Sequence, residues 1–288
     1  MINRDELDTY NGEPCKLVMQ SWFANSCGIF PFPWSEQISP VFLGFHLNKQ
    51  KQTHQLFLEK KIHKKMKAFE PIGCRDRKTR DFLLSYGVNA YFSGCMTLTL
   101  DAREQEPQDG KTFIVDVNRA VLKRLPKQIV DEADFSISHL YFWNHYPLTK
   151  DDAMEFEQRA REILKQYKEQ AKLVITSRIH VAMPCVAMGI PVIFITAHPS
   201  DMRFDVLRGI LPIYSHQDMK YIDWEPCAVD ISELKQAIIN NAIAQITGKD
   251  ADEALMRLNE VTNKLKPICF LPKRETFIRS IKKFLGLK

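Results

Sequence analysis

The sequence predicts an α/β protein of two domains, each built on a parallel sheet of the doubly wound kind. Three observations support this prediction. The chain has 288 residues, which fits two domains of ordinary size. Hydrophobic residues make up 45% of the chain and charged residues 26%, close to the average of soluble globular proteins. Short apolar runs alternate with helical patterns along most of the chain, and this alternation is typical of parallel sheets.

In the first half, helical patterns separate short apolar runs. A lysine-rich, exposed helix is predicted over Thr53–Phe69, and a second helix over Lys78–Tyr86 ends at Gly87. The segment Asp101–Gly110 is polar, contains proline and glycine, and predicts a loop. The strands predicted between these elements are Lys16–Trp22, Val41–Leu47, Pro71–Arg75 and Ala90–Ser93.

The second half repeats the alternation with longer helices. Apolar residues recur near 3.6-residue spacing in Asp151–Gln170, and Arg178–Met188 is a helix ended by Gly189 and Pro191. Further helices are predicted over Ser232–Thr247, Asp252–Leu265 and Glu275–Leu285. The predicted strands are Thr112–Val117, Phe135–Leu140, Leu173–Ile175 and Pro191–Ile195.

A hinge is predicted over Ala120–Asp131, with Pro126 inside it. It divides the chain into an N-terminal domain over residues 1–125, a C-terminal domain over 126–272, and a closing helix over 273–288. A doubly wound domain usually opens with a strand followed by a helix. Only a short charged stretch precedes the first strand here, so we expect a first domain that is shortened at its N-terminus.

Composition and missing motifs exclude several classes of protein. The formal net charge of +5 is far below that of a typical nucleic-acid-binding domain. Seven cysteines contain no C-x-x-C pair, so the sequence does not support a zinc site, and a reducing cytoplasm is the expected location. The dinucleotide fingerprint, the P-loop and the nucleophile elbow are also missing from the sequence.

The sequence predicts no signal peptide and no transmembrane segment. The N-terminus lacks an apolar core, and the apolar stretch Val181–Ile195 is interrupted by prolines and a glycine. The basic, amphipathic segment Lys273–Lys288 leaves two interpretations open. It is either a helix packed on its own protein, which is the commoner case, or a peripheral membrane contact.

The strongest candidate site is the segment Thr176–His180, where an apolar strand runs into a helix. Ligands of parallel sheets collect at the carboxyl ends of strands, and a helix N-terminus favours an anion. Thr176 and Ser177 are good N-cap types, and Arg178 offers a planar fork for a carboxylate or phosphate. His180 adds a group that exchanges protons near neutral pH. A surface arginine beside a structural histidine is the alternative.

Other candidate residues lie at further strand ends and loops. Arg75 and Asp76 follow a short strand, and Asp76 either caps the next helix or orients Arg75. The small residues Ser93 and Gly94 indicate either contact with a ligand or a tight turn between domains. The histidines at 139, 145 and 198 and Arg203 either contact a ligand or lie in a half-buried or solvated loop. The candidate acceptor or phosphate contacts are Ser93, Gly94, His139, His145, His198 and Arg203.

Two segments of this chain resemble the polysaccharide pyruvyl transferase family. The first is Ile72–Leu100, with a strand, Gly-Cys-Arg-Asp, and a downstream Tyr-Phe-Ser-Gly-Cys-Met-Thr-Leu-Thr. The second is Val174–Ile195, with Ser-Arg-Ile-His, a small apolar helix and Gly-Ile-Pro-Val. Both occur in the family's order, about 100 residues apart, and the resemblance covers roughly residues 15–215.

The resemblance implies a fold similar to the GT-B glycosyltransferases, with two Rossmann-like domains facing a cleft. It implies transfer of the pyruvyl group of phosphoenolpyruvate to a sugar of a cell-surface polysaccharide or glycan precursor, giving a pyruvate ketal. Arg75, Arg178, Ser177 and Ile179 are then the donor-binding residues, and His180 is the catalytic residue, as acid or as base. The implied scheme requires no metal and no cofactor besides the donor substrate.

Two other functions remain open on the sequence alone. A GT-B glycosyltransferase that uses a nucleotide sugar needs a ribose contact, for which Asp201 and Asp205 are the candidates. A non-catalytic homologue that binds a glycan or a partner protein is favoured by the shortened first domain. The acceptor sugar and the oligomeric state have no signature in the sequence.

Overall fold

The computed structural model describes residues 6–20, 22–23, 34–47, 59–141 and 149–268, which form two parallel sheets. In the first sheet the strand order is β1-β3-β4-β5, and the short β2 also pairs with β3. Its strands are β1 (Cys15–Met19), β2 (Trp22–Phe23), β3 (Ile38–Leu47), β4 (Ile72–Cys74) and β5 (Ala90–Phe92). The second sheet follows sequence order: β6 (Lys111–Val115), β7 (Ala171–Thr176), β8 (Val192–Thr196) and β9 (Ile213–Ser215).

Helices connect and cover these strands, which confirms the predicted α/β class. The helices are α1 (Lys60–Ala68), α2 (Arg77–Ser85), α3 (Arg119–Leu122), α4 (Lys127–Glu132), α5 (Lys150–Gln170), α6 (Ile179–Ala187), α7 (Ser232–Thr247) and α8 (Ala251–Lys264). Shorter 3₁₀ helices lie at Met96–Thr99, Met202–Leu207 and Met219–Tyr221.

Local sequence explains where several helices begin and end. Asp76 caps α2 by accepting the backbone N–H of Thr79, and Thr149 with Asp152 forms a capping box at the start of α5. Gly87 and Gly189 follow helices in left-handed conformations, with φ of 71° and 73°. The predicted glycine stops after α2 and α6 are therefore confirmed.

One prediction about the middle of the chain is wrong. Phe135–Leu140 forms no strand, because only the neighbouring Asp134 bridges to β6 and the next residues turn back toward Asp116. Apolar spacing in such a short segment did not distinguish a strand from a loop. The predicted hinge Ala120–Asp131 contains α3 and α4, and its Val121 is fully buried against the second sheet.

The second sheet begins before the predicted domain boundary at residue 125. β6 pairs in parallel with β7, so the chain changes sheet before Lys111. Helix α7 then packs across both halves of the chain. Its Lys235 donates to the carbonyls of Leu100 and Ala187, and its Asn241 donates to the Tyr91 hydroxyl. The division into domains remains a prediction, and the closing helix over 273–288 lies outside the described residues, as does part of Thr53–Phe69.

An apolar core lies on each face of the second sheet. The larger core joins α6 and α7 to one face of that sheet and includes Tyr91, Cys95 and Leu98 from the first half of the chain. Cys74, Cys95 and Cys185 are buried free thiols. In the part of the chain that the structure describes, no helix has the length and apolar character needed to cross a membrane.

Candidate functional site

A cavity of about 670 Å³ lies at the carboxyl ends of strands from both sheets. This is the location that parallel sheets favour for ligands. Arg75 lines it from the first sheet, immediately after β4. The other lining residues follow β6, β7 and β8: Asp116, Asn118, His139, Ser177, Arg178, Ile179, His180, Thr196, Ala197, His198, Arg203 and Phe204.

Arg75 is a buried cation without an ion-pair partner among the described residues. Its exposed fraction is 5%, and its backbone N–H donates to the Phe45 carbonyl at 2.8 Å. The Nη1 atom lies 3.4 Å from His180 Nε2, and the buried Nε atom has no hydrogen-bond partner. Burial lowers the pKa of Arg75 from its ordinary value. An uncompensated guanidinium of this kind is suited to an anionic ligand.

A buried polar network fixes the loop that carries Arg75. Asp76 accepts hydrogen bonds from the Thr79 backbone and hydroxyl, both at 2.8 Å, and pairs with His46 Nδ1 at 2.6 Å. His46 and Asp76 are both almost fully buried. The prediction that Asp76 caps the next helix is confirmed. The Asp76 carboxylate is held by these contacts and forms no ion pair with the Arg75 guanidinium, although its charge offsets part of the effect of burial on the pKa of Arg75.

The segment Thr176–His180 starts α6 differently from the prediction. Arg178, not Thr176 or Ser177, is the N-cap residue, and it makes no side-chain cap. The Thr176 hydroxyl donates to the Val115 carbonyl at 2.9 Å, and the Ser177 hydroxyl donates to the Ile195 carbonyl at 2.6 Å. These hydroxyls therefore tie β7 to its neighbours, and the Thr176 hydroxyl also accepts the Arg178 backbone N–H at 3.0 Å. The N-cap residue itself makes no side-chain cap, so the first N–H groups of α6 after Arg178 face the cavity without one.

His180 lies in the first turn of α6, opposite Arg75. Burial among the cavity walls, followed by the charge of Arg75, lowers the pKa of His180 to about 4. Charges on His139 and His46 act in the same direction. The ring is therefore neutral at physiological pH. The His180 side chain is also exposed to water in the cavity, so its effect on the free energy of unfolding is smaller than its pKa shift alone implies.

Arg178 is paired with Asp116, a residue that the sequence analysis did not select. Arg178 Nε lies 2.8 Å from Asp116 Oδ2, and the Asp116 side chain is buried. The same carboxylate accepts the Ser138 hydroxyl at 2.7 Å and the His139 backbone N–H at 3.0 Å. Asp116 has a φ of 47°, an uncommon conformation that clusters at functional sites. The sequence signal that could have identified Asp116 is its position directly after β6.

The loop after β8 forms the third part of the cavity wall. His198 and Arg203 are exposed there, and Arg203 pairs with Asp201 at 3.2 Å. The 3₁₀ helix Met202–Leu207 is fastened to α2, because Asp205 accepts the Arg77 backbone N–H at 2.8 Å and pairs with its guanidinium at 3.2 Å. This contact connects the Arg203 wall to the loop that carries Arg75.

Comparison with known proteins decides the family. Residues 32–199, more than half of the chain, match the family model for polysaccharide pyruvyl transferases. The chain belongs to the polysaccharide pyruvyl transferase family. No curated protein and no solved structure gives a significant match. The matched range contains Arg75, Arg178 and His180, so the family assignment and the cavity involve the same residues.

The structure brings most of the predicted site residues of this family member together. His139, His198 and Arg203 line the cavity with the donor-binding candidates, whereas Ser93 and Gly94 do not. Ser93 is buried, and its hydroxyl accepts the Gly44 N–H at 2.9 Å and donates to the Cys74 carbonyl at 3.2 Å. Gly94 lies against Ile238 of α7, so helix packing explains the small residue. His145 lies outside the described residues.

Ile179 lines the cavity mainly as a buried residue at the start of α6. Its backbone N–H belongs to the first helical turn, which precedes the first intrahelical bonds. Any contact with a ligand would therefore come from this N–H group. Within the described ranges, no three His, Cys, Asp or Glu side chains are grouped so as to hold a metal ion.

Proposed function

We propose that this protein transfers the pyruvyl group of phosphoenolpyruvate to a sugar hydroxyl pair of a polysaccharide or glycan precursor, forming a pyruvate ketal. The buried Arg75 carries the proposal, because within the described residues its Nε has no hydrogen-bond partner and its Nη1 contacts the neutral His180 at 3.4 Å. A buried cation without a counter-charge is costly, and a bound carboxylate or phosphate removes that cost.

The charges of the cavity suit the donor. Phosphoenolpyruvate carries one carboxylate and one phosphate, and Arg75, Arg178 and Arg203 line the cavity. Asp116 neutralises part of Arg178 and Asp201 part of Arg203. Arg75 therefore gives the largest unbalanced positive charge, and the uncapped start of α6 adds to it. We assign the donor site to Arg75, Arg178, Ser177 and Ile179.

The reaction balances without a metal or a cofactor, and we propose that it uses neither. Two C–O bonds form between the acceptor hydroxyl oxygens and C2 of the donor, while the bond from C2 to the phosphate oxygen breaks. One hydroxyl proton ends on the methylene carbon, which becomes a methyl group, and the other leaves with inorganic phosphate. Neutral His180 is the group we assign to accept a hydroxyl proton.

We also propose the two-domain cleft of GT-B proteins for this chain, because the cavity lies at the carboxyl ends of both parallel sheets. A cytoplasmic location is consistent with the free thiols of Cys74, Cys95 and Cys185. The residues of the C-terminal basic segment, for which a peripheral membrane contact was one interpretation, lie outside the described part of the chain.

The test is incubation with phosphoenolpyruvate and a panel of galactosides and mannosides, with release of inorganic phosphate as the readout and mass spectrometry of the glycan. Formation of a ketal that is lost in His180→Gln supports the proposal. Donor binding without turnover on any acceptor would indicate the non-catalytic homologue. Turnover of a nucleotide sugar instead would indicate the glycosyltransferase.

A further inference from the structure

The cavity wall contains a His139–Tyr167 pair to which the proposed reaction assigns no role. Tyr167 belongs to α5 and is fully buried, with its hydroxyl 2.9 Å from His139 Nε2. The two rings stack at 5.9 Å between centroids, and Phe113 packs edge-on against Tyr167 at 6.2 Å. The contacts therefore restrain both the position and the plane of the His139 ring.

The hydrogen bond between the two residues determines where His139 carries its proton. Among the described residues, His139 Nε2 is the only acceptor near the Tyr167 hydroxyl. If Nε2 carried a hydrogen, the buried O–H would lack an acceptor, which costs roughly 1–3 kcal/mol. Burial raises the pKa of Tyr167 and lowers that of His139, so the phenol stays protonated and the imidazole neutral. The proton of the imidazole is therefore on Nδ1.

The backbone of His139 is anchored to the donor site. Its N–H donates to Asp116 Oδ2, the oxygen that pairs with Arg178, and Ser138 donates to the other oxygen. The imidazole thus has a fixed backbone, a fixed ring plane and one bonded nitrogen. Its Nδ1 has no hydrogen-bond partner in the described part of the chain, and His139 lines the cavity.

We infer that Tyr167 is a positioning residue that fixes His139 as the Nδ1–H tautomer, so that His139 donates a hydrogen bond to an anionic oxygen of the cavity's ligand. The inference rests on the proposed function for the identity of that ligand, the phosphate of the donor. A neutral hydrogen-bond donor suits this wall of the cavity, since it binds an anion without adding another buried charge beside Arg178. A ligand that places its own N–H or O–H donor there is disfavoured.

Nuclear magnetic resonance of protein labelled with ¹⁵N-histidine tests the tautomer without any ligand. The wild-type His139 signals should show a protonated Nδ1 and an unprotonated Nε2. Tyr167→Phe should shift the population toward the other tautomer. Tyr91→Phe is the matched control, because Tyr91 is a buried tyrosine whose hydroxyl accepts from Asn241 and does not line the cavity. A protonated Nε2 in the wild type, or no change in Tyr167→Phe, overturns the inference.

Binding of inorganic phosphate and of phosphoenolpyruvate tests the role of the fixed proton. His139→Ala should weaken phosphate binding by roughly 10- to 100-fold, the value of a hydrogen bond to a charged group. Tyr167→Phe should weaken it by roughly 3- to 10-fold, because a smaller fraction of molecules carries the competent tautomer. In the His139→Ala background, Tyr167→Phe should have no further effect, since Tyr167 acts through His139.

Rescue variants separate positioning from general packing. Asn at position 139 places its amide N–H near the Nδ1 position, whereas Gln places it near Nε2, so His139→Asn should bind phosphate better than His139→Gln. Additive losses in the double variant, or equal binding by the Asn and Gln variants, overturn the inference. If the His139 and Tyr167 variants affect phosphate binding as expected but the wild-type protein forms no ketal, the proposed reaction is rejected and the inference about Tyr167 stands.

Discussion

Replacement of Arg75 by methionine should make the free protein more stable and its anion site weaker. Arg75 is 5% exposed, and in the described part of the chain its Nε lacks a hydrogen-bond partner. The carboxylate of the neighbouring Asp76 is already engaged by His46 and Thr79. A buried charge with poor compensation costs several kcal/mol, and methionine fills a similar volume without that cost. We expect the free energy of unfolding to rise by about 1–3 kcal/mol.

The same change should remove most of the donor affinity. A guanidinium that grips a carboxylate or phosphate with two charge-assisted hydrogen bonds contributes about 3–6 kcal/mol, so the dissociation constant should rise by a factor of roughly 10² to 10⁴. Urea unfolding with and without phosphoenolpyruvate measures both effects, because a ligand that binds only the folded state raises its stability. The variant should lose that ligand-dependent increase.

Arg103→Met is the matched control for this experiment. The Arg103 side chain is equally buried, at 6% exposed, but it donates to the Ala171 carbonyl and pairs with Glu106 at 2.6 Å. Its replacement removes the hydrogen bond to this buried residue and the pair with Glu106, and should destabilise the protein by about 1–3 kcal/mol, with ligand binding unchanged. If Arg75→Met destabilises the protein as Arg103→Met does and retains donor affinity, Arg75 is structural and the reasoning fails.

Three further predictions concern the surroundings of this arginine. Asp76→Asn should lower the free energy of unfolding by about 1–3 kcal/mol in urea titrations, because its charge pairs with His46 and caps α2; an unchanged midpoint would contradict this. Donor binding at pH 6 should be accompanied by proton uptake, because the bound anion raises the pKa of His180 from about 4. Donor affinity should therefore grow as the pH falls toward that pKa. Calorimetry in two buffers should show this uptake, and His180→Gln should abolish it. Asp205→Asn should cost under about 1 kcal/mol in thermal unfolding, because the Arg77–Asp205 pair is partly exposed.

The sequence predicted those features that depend on local pattern. Apolar periodicity and glycine stops placed the helices around Lys78–Tyr86 and Arg178–Met188 correctly, because these signals act within one element. The proximity of Arg75 and His180 was also predictable, since parallel strands end at a common edge and both residues follow such ends. The resemblance to the family indicated which strand ends to compare.

The remaining features depend on contacts between distant segments. Nothing within Thr176–Ser177 reveals that both hydroxyls donate to carbonyls of neighbouring strands, or that Arg178 is the N-cap residue of α6. Tyr167 is the one fully buried residue of α5, and its partner His139 is 28 residues away. Selecting Asp116 as a site residue required the knowledge that β6 neighbours β7, which the periodicity of a single sequence does not provide.

The arginines around the cavity differ in how far nearby carboxylates compensate their charges. Arg77 is satisfied by Asp205 and by the Phe92 ring at 4.2 Å, Arg178 by Asp116, and Arg203 by Asp201. Each of these pairs would keep its geometry with an empty cavity. Arg75 alone in this group lacks a carboxylate partner among the described residues, although it is the most buried. Native proteins rarely leave such a group unsatisfied without a functional reason. In the function proposed above, Arg75 is therefore the main anion contact, and the paired Arg178 and Arg203, which also line the cavity, are already held in place to complete the site.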